Sequence, residues 1–118
     1  MPAPFPRARR TAQLALVILG LCTVGATAAE EPLTIEITLK DHKFAPSEIH
    51  VKSGKPTVLR IKNEDATAEE FESSVLKVEK VIAGHSTGIV RLRALAPGRY
   101  PFEGEFHDDT AKGVVIAE

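Results

Sequence analysis

Sulfur is almost absent from this chain: its 118 residues include one cysteine, Cys22, and one methionine, Met1. A single cysteine excludes an internal disulfide, and Cys22 falls in an N-terminal stretch that is expected to be removed. The remaining domain then offers no thiolate or thioether, the soft ligands that Cu(I) favours. Sustained helical periodicity is missing as well, and beyond the N-terminal stretch there are no repeats and no low-complexity tract. Nor is there an excess of positive charge, which argues against a nucleic-acid or anionic-membrane partner. Ser73, Ser74 and Ser86 lie in no recognisable nucleophile motif, and the 4 histidines are scattered, so hydrolytic catalysis has no visible apparatus.

The first residues have the build of a secretory signal peptide. Arg7, Arg9 and Arg10 form a basic region, Leu14 to Leu21 an apolar one, and Gly25-Ala-Thr-Ala-Ala29 a small-residue cleavage region ahead of Glu30. The apolar run is shorter than the roughly 20 residues that span a bilayer, so a retained anchor is disfavoured and no membrane insertion is expected after cleavage. Twin-arginine and lipoprotein signals match poorly, the latter because Leu21 directly precedes Cys22. Residues 1–29 are thus read as the leader and residues 30–118 as one small domain. The leader holds three of the 15 Lys and Arg residues, leaving 12 against 16 acidic ones and a net charge near −4.

The domain reads as short strands between turn signals. Leu33, Ile35, Ile37 and Leu39 alternate with Thr34, Glu36, Thr38 and Lys40, the period-two pattern of a strand with one buried face. Ile49 and Val51, Val58 to Lys62, Val78 to Ile82, Ile89 to Leu95, Arg99 to Phe106 and Val114 to Ala117 complete roughly seven strands, by count of these segments. Ser53-Gly54-Lys55-Pro56 and Ala96-Pro97-Gly98 supply turns. The spacing predicts an all-β Greek-key sandwich. By alternation His50 should face solvent, and Tyr100 and Phe102 read as core aromatics. His85 reads as an exposed turn residue, and Asp108-Asp109 as turn residues.

Several segments carry a family resemblance. They are Asp41-His42-Lys43-Phe44 with Pro46, Ile49, Val51 and Gly54; Asn63 with Asp65; Glu69-Glu70-Phe71-Glu72-Ser73 with Leu76, Glu79 and Lys80; Leu95 with Pro97, Gly98, Tyr100 and Phe102; and Gly104-Glu105-Phe106-His107. Over nearly all of the domain the chain resembles the cupredoxin-like proteins, and more closely a subgroup found with bacterial periplasmic iron-uptake systems. The resemblance implies a periplasmic metalloprotein handling copper or iron beside an inner-membrane iron permease and its companion periplasmic proteins. It also exposes departures. Where a cupredoxin has its first histidine this chain has Glu69, where it has cysteine there is Gly104, and near its methionine there is Ala111. His107 alone keeps its place, so a blue-copper centre with a thiolate ligand is excluded by composition.

Parity along the strands ranks the remaining metal candidates. If Phe71 faces the core, Glu69 shares its side while Glu70 and Glu72 take the other, and His42 shares a face with Phe44. This predicts His42, Glu69 and His107 as neighbours at the end of the sandwich where cupredoxins hold metal, with Glu105 as a further oxygen donor and Glu72 in reserve should the strand bulge. Imidazole and carboxylate suit Cu(II), Fe, Mn or Zn, and anionic oxygen favours the oxidised state of iron. Binding or oxidising ferrous iron before import would fit this donor set. Two alternatives stand beside it: a metal-free sandwich that docks a partner subunit, and a periplasmic copper-binding or chaperone protein, the latter weakened by the missing sulfur.

Overall fold

The computed structural model describes residues 31–118, with positions 2–4, 15, 20 and 25 ahead of them. Those single positions apart, the expected leader lies outside the described residues. Among the described residues nine strands form two sheets. β1 (Leu33–Lys40), β2 (Lys43–Ala45), β4 (Thr57–Asn63) and β7 (Thr87–Leu92) build one, in the order β2-β1-β4-β7. β3 (Glu48–Val51), β5 (Glu69–Ser73), β6 (Val78–Ile82), β8 (Gly98–Gly104) and β9 (Lys112–Ala117) build the other, in the order β3-β9-β8-β5-β6. The all-β sandwich expected from the alternation is the observed architecture.

Each strand turns its apolar parity inward. Ile37 and Leu39 of β1, Leu59 and Ile61 of β4, and Val90 and Leu92 of β7 face Ile49, Phe71, Ile82, Phe102 and Val115 of the other sheet in one continuous core. Burial on this scale supplies most of the stabilisation, about 1.5–3 kcal/mol for each large apolar side chain. Three phenylalanines fill one end. Phe71 and Phe102 stack with ring centroids 4.7 Å apart, and Phe44 meets Phe102 edge-on at 5.2 Å and Phe71 at 6.0 Å. Tyr100 is half-buried against the core, and its hydroxyl donates to the Ala96 carbonyl at 2.8 Å, closing the Ala96-Pro97-Gly98 turn.

Two strands are missing from the seven segments counted by alternation, for identifiable reasons. β2 has only three residues and buries one of them, Phe44. β5 reads Glu-Glu-Phe-Glu-Ser, and its inward positions are Glu69, Phe71 and Ser73, so two of its three buried residues are polar. Elsewhere the limits shift. β7 ends at Leu92 and not at Leu95, and β8 ends at Gly104, after which Glu105–His107 form a 3-10 turn. His50 is exposed as expected, with Nδ1 2.7 Å from Glu118 and Nε2 3.2 Å from Glu48.

The pairing of β1 with β4 is parallel, with Leu39 opposite Asn63. Parallel register delivers the ends of both strands to the same edge of the sandwich. The turn after β1, which carries His42, is therefore set beside the segment that follows Asn63. β5 begins at that edge with Glu69, and β8 pairs Gly104 with Phe71 as it leaves the sheet toward His107.

Candidate metal centre

His42 is positioned by its backbone. Asp41 and His42 both adopt left-handed conformations, with φ of 51° and 57°, which cost a non-glycine residue energy unless the surroundings hold them. The Asp65 carboxylate provides that hold by accepting the Asp41 N–H at 2.8 Å and the His42 N–H at 3.0 Å. The His42 amide and, behind it, that of Asp41 hold Asp65 below the usual carboxylate range against the opposing effect of burial. Asn63 completes the fastening. Its Oδ1 accepts the Asp65 N–H at 3.0 Å while its Nδ2 donates to the carbonyls of Thr67, Ile82 and Ala83. The quoted motif of Asn63 with Asp65 contained this clamp, but nothing in the spacing disclosed its role.

Glu69 is 1 % exposed, as deep as the core leucines, and every part of its carboxylate is engaged. Oε1 accepts the N–H of Phe106 at 2.9 Å and of Glu70 at 3.1 Å, and Oε2 is 2.5 Å from His107 Nδ1. His107 in turn stacks on His42, with ring centroids 3.5 Å apart and planes 12° from parallel. Thr67 Oγ1 lies 3.4 Å from His42 Nε2 on the rim. His42, Glu69 and His107 are thus the three candidates that the fold brings together.

Gly104 makes this arrangement sterically feasible. A Cβ at position 104 would lie 2.6 Å from Glu69 Cδ and 2.7 Å from Ala111 Cβ, closer than side-chain carbons approach. Glu69 and Gly104 are therefore complementary in size, the long side chain of one filling the space that the other leaves.

Glu72 and Glu105 sit elsewhere. β5 runs without a bulge, Glu72 pairing with Glu79 on one side and Glu103 on the other, so Glu72 keeps its outward parity. The Glu105 carboxyl lies against those of Glu70 and Glu72 on that outer surface. Partial desolvation, then the neighbouring carboxylates with Glu105 foremost, push both Glu70 and Glu72 above the ordinary range. Among the described residues no three His, Cys, Asp or Glu side chains are grouped as a metal-holding set. The stack explains this for the histidines. Imidazole lone pairs lie in the ring plane, and two nearly parallel planes 3.5 Å apart do not converge on one ion at the roughly 2.0 Å that a metal–nitrogen bond requires.

The family model described as Cupredoxin-like domain matches residues 12–117. The chain belongs to this family. This cupredoxin-like domain is 44% identical over 84 residues to the uncharacterized protein RP394 of Rickettsia prowazekii (strain Madrid E), covering 71% of the chain and 67% of that protein. Among solved structures, auracyanin A, a "blue" copper protein from Chloroflexus aurantiacus, has a TM-score of 0.62 at 20% identity. The match covers 75% of this chain and 100% of that one. The metal-binding domain of the Cu(I)-exporting P-type ATPase CopA of Streptococcus pneumoniae D39, with Cu(I), has a TM-score of 0.64 at 16% identity, covering 77% and 91%. At these identities the structural matches show the shared fold. The structure agrees with the exclusion of a thiolate-ligated copper centre, because Gly104 carries no side chain and the Glu69 carboxyl occupies the space in front of it. What the residues present offer in its place is one imidazole nitrogen, His107 Nε2, that Glu69 does not contact. No helix among the described residues is long and apolar enough to cross a membrane.

Proposed function

We propose that this cupredoxin-like domain is a periplasmic metal-binding protein that takes copper or iron through His107 and serves a membrane iron permease. The observation that carries the metal reading is the Glu69–His107 pair: with Nδ1 turned to a buried carboxylate, Nε2 is the ring nitrogen left for a ligand. His42 would add a second imidazole on leaving the stack. Imidazole suits copper and iron, and a bound ion would supply one-electron chemistry that the side chains lack. Support for the iron-uptake role comes from the likeness of Glu69-Glu70-Phe71-Glu72-Ser73 and Gly104-Glu105-Phe106-His107 to proteins of periplasmic iron-uptake systems. Support for copper comes from the copper proteins that share the fold.

Calorimetric titration of the protein with Cu(II), and anaerobically with Fe(II), tests the metal reading. Micromolar or tighter binding that disappears in His107→Ala is the expected result. Binding no tighter than millimolar in the parent would defeat it and favour a metal-free partner-docking module, a reading that draws on the full set of hydrogen-bond partners Glu69 already has. For the transport role, ferrous-iron uptake by cells carrying the Glu69→Ala, His107→Ala pair should fall. Unchanged uptake would remove the permease from the proposal.

A further inference from the structure

We infer that Glu69 is a positioning residue and not a ligand: it fixes His107 in the tautomer protonated at Nδ1, so that the lone pair rests on Nε2. The inference deepens the metal-binding reading and names how that site is prepared. Three observations converge on it. Glu69 is 1 % exposed, so an ion reaching its oxygens would have to shed its water inside the core. Its Oε1 already accepts from Phe106 and Glu70, and its Oε2 lies 2.5 Å from His107 Nδ1, contacts that occupy three of the roughly four hydrogen-bonding positions of a carboxyl group. Finally, Gly104 lies against Glu69 Cδ and Oε1, at 2.6 and 2.8 Å from an ideal Cβ, and so closes that side of the carboxyl to any further group.

The division of labour between the two oxygens decides the tautomer. Oε1 faces two backbone N–H groups and must accept, which leaves Oε2 facing His107 Nδ1. With Oε2 accepting as Oε1 does, Nδ1 carries the proton and donates it. A histidine whose other nitrogen donates to a carboxylate is held in orientation and made a more basic ligand, and loss of such a partner typically lowers metal affinity by about 10–100-fold. Glu69 also fastens the 3-10 turn through the Phe106 N–H, so the ring and the backbone that carries it are anchored to one buried group.

Glu69→Gln gives the inference a sharp test, because glutamine cannot accept at both ends. Its carbonyl must meet the Phe106 and Glu70 amides, and its NH2 then points at His107 Nδ1. The ring is forced to accept at Nδ1 and carry its proton on Nε2. Long-range 15N–1H correlation spectra of the metal-free protein should show His107 pyrrole-like at Nδ1 and pyridine-like at Nε2 in the parent, with the two patterns exchanged in Glu69→Gln. Cu(II) affinity of the variant should fall by about 10–100-fold. An Nε2-protonated or doubly protonated ring in the parent would overturn the inference, and that spectrum needs no variant to fold. A parent tautomer as expected with no Cu(II) binding would sink the metal-binding reading and leave the positioning of His107 standing. Tight Cu(II) binding that Glu69→Gln leaves unchanged would do the reverse.

Discussion

Strand β5 sets three glutamates within four positions and treats them in opposite ways. On its inner face Glu69 is buried with Oε1 accepting two backbone N–H groups and Oε2 2.5 Å from His107 Nδ1. On its outer face Glu70 and Glu72 stand against Glu105, and Glu79, Glu72, Glu103 and Lys112 form one row across β6, β5, β8 and β9. Directly opposed like charges destabilise a sheet. Burial of a carboxylate is therefore not itself the problem. The buried glutamate has its donors supplied, while the solvent-facing ones crowd one another.

The largest effect should come from removing the inner carboxylate. Glu69→Ala leaves two backbone N–H groups and His107 Nδ1 without their partner and a cavity beside Gly104, and should cost about 3–5 kcal/mol in urea unfolding. A loss below about 1 kcal/mol would erase the distinction between the faces. Gly104→Ala should cost about 1–3 kcal/mol by overpacking, because its Cβ would meet Glu69 Cδ at 2.6 Å. Combined with Glu69→Ala, that cost should fall in part, the contact with Ala111 Cβ at 2.7 Å remaining. Strict additivity would show that the two residues do not share the space.

The smallest effect belongs to the outer face and has the opposite sign. Since the Glu72 pKa is raised by folding, the native state gains from its proton below the unfolded pKa and loses that gain as pH rises through the folded one. Glu72→Gln mimics the protonated form. It should therefore raise Tm at neutral pH, and the gain should shrink to nothing in acid, where the parent is itself protonated. A Tm lowered at neutral pH would mean that the row of glutamates is held by interactions beyond those described.

The two faces also differ in how readable they were. Alternation through Phe71 was enough to place Glu69 inward and Glu72 outward, because the pleat has a fixed period of two. β5 was harder to recognise as a strand, since its inward residues Glu69 and Ser73 are polar and its apolar signal reduces to Phe71. The meeting of His42, Glu69 and His107 followed from parity combined with the family resemblance. Other features depend on backbone events that side-chain patterns do not encode. Glu105 leaves the end of the sandwich because β8 stops at Gly104 and a 3-10 turn redirects the chain. The stacking of His42 follows from a left-handed pair of residues that no hydropathy pattern announces.

The clamp at Asn63 and Asp65 has a mechanical consequence. Asp65 holds the two amides that aim His42, and its own carbonyl accepts the His85 N–H at 2.9 Å. Gly84 is wedged beside it, where a Cβ would stand 2.0 Å from the Ala66 carbonyl oxygen. The connection between β6 and β7, which passes from one sheet to the other and is remote in sequence from both stacked histidines, is therefore placed to act on them. Bulk added at Gly84 would shift Ala66, tilt Asp65 and slide one imidazole over the other without touching either ring.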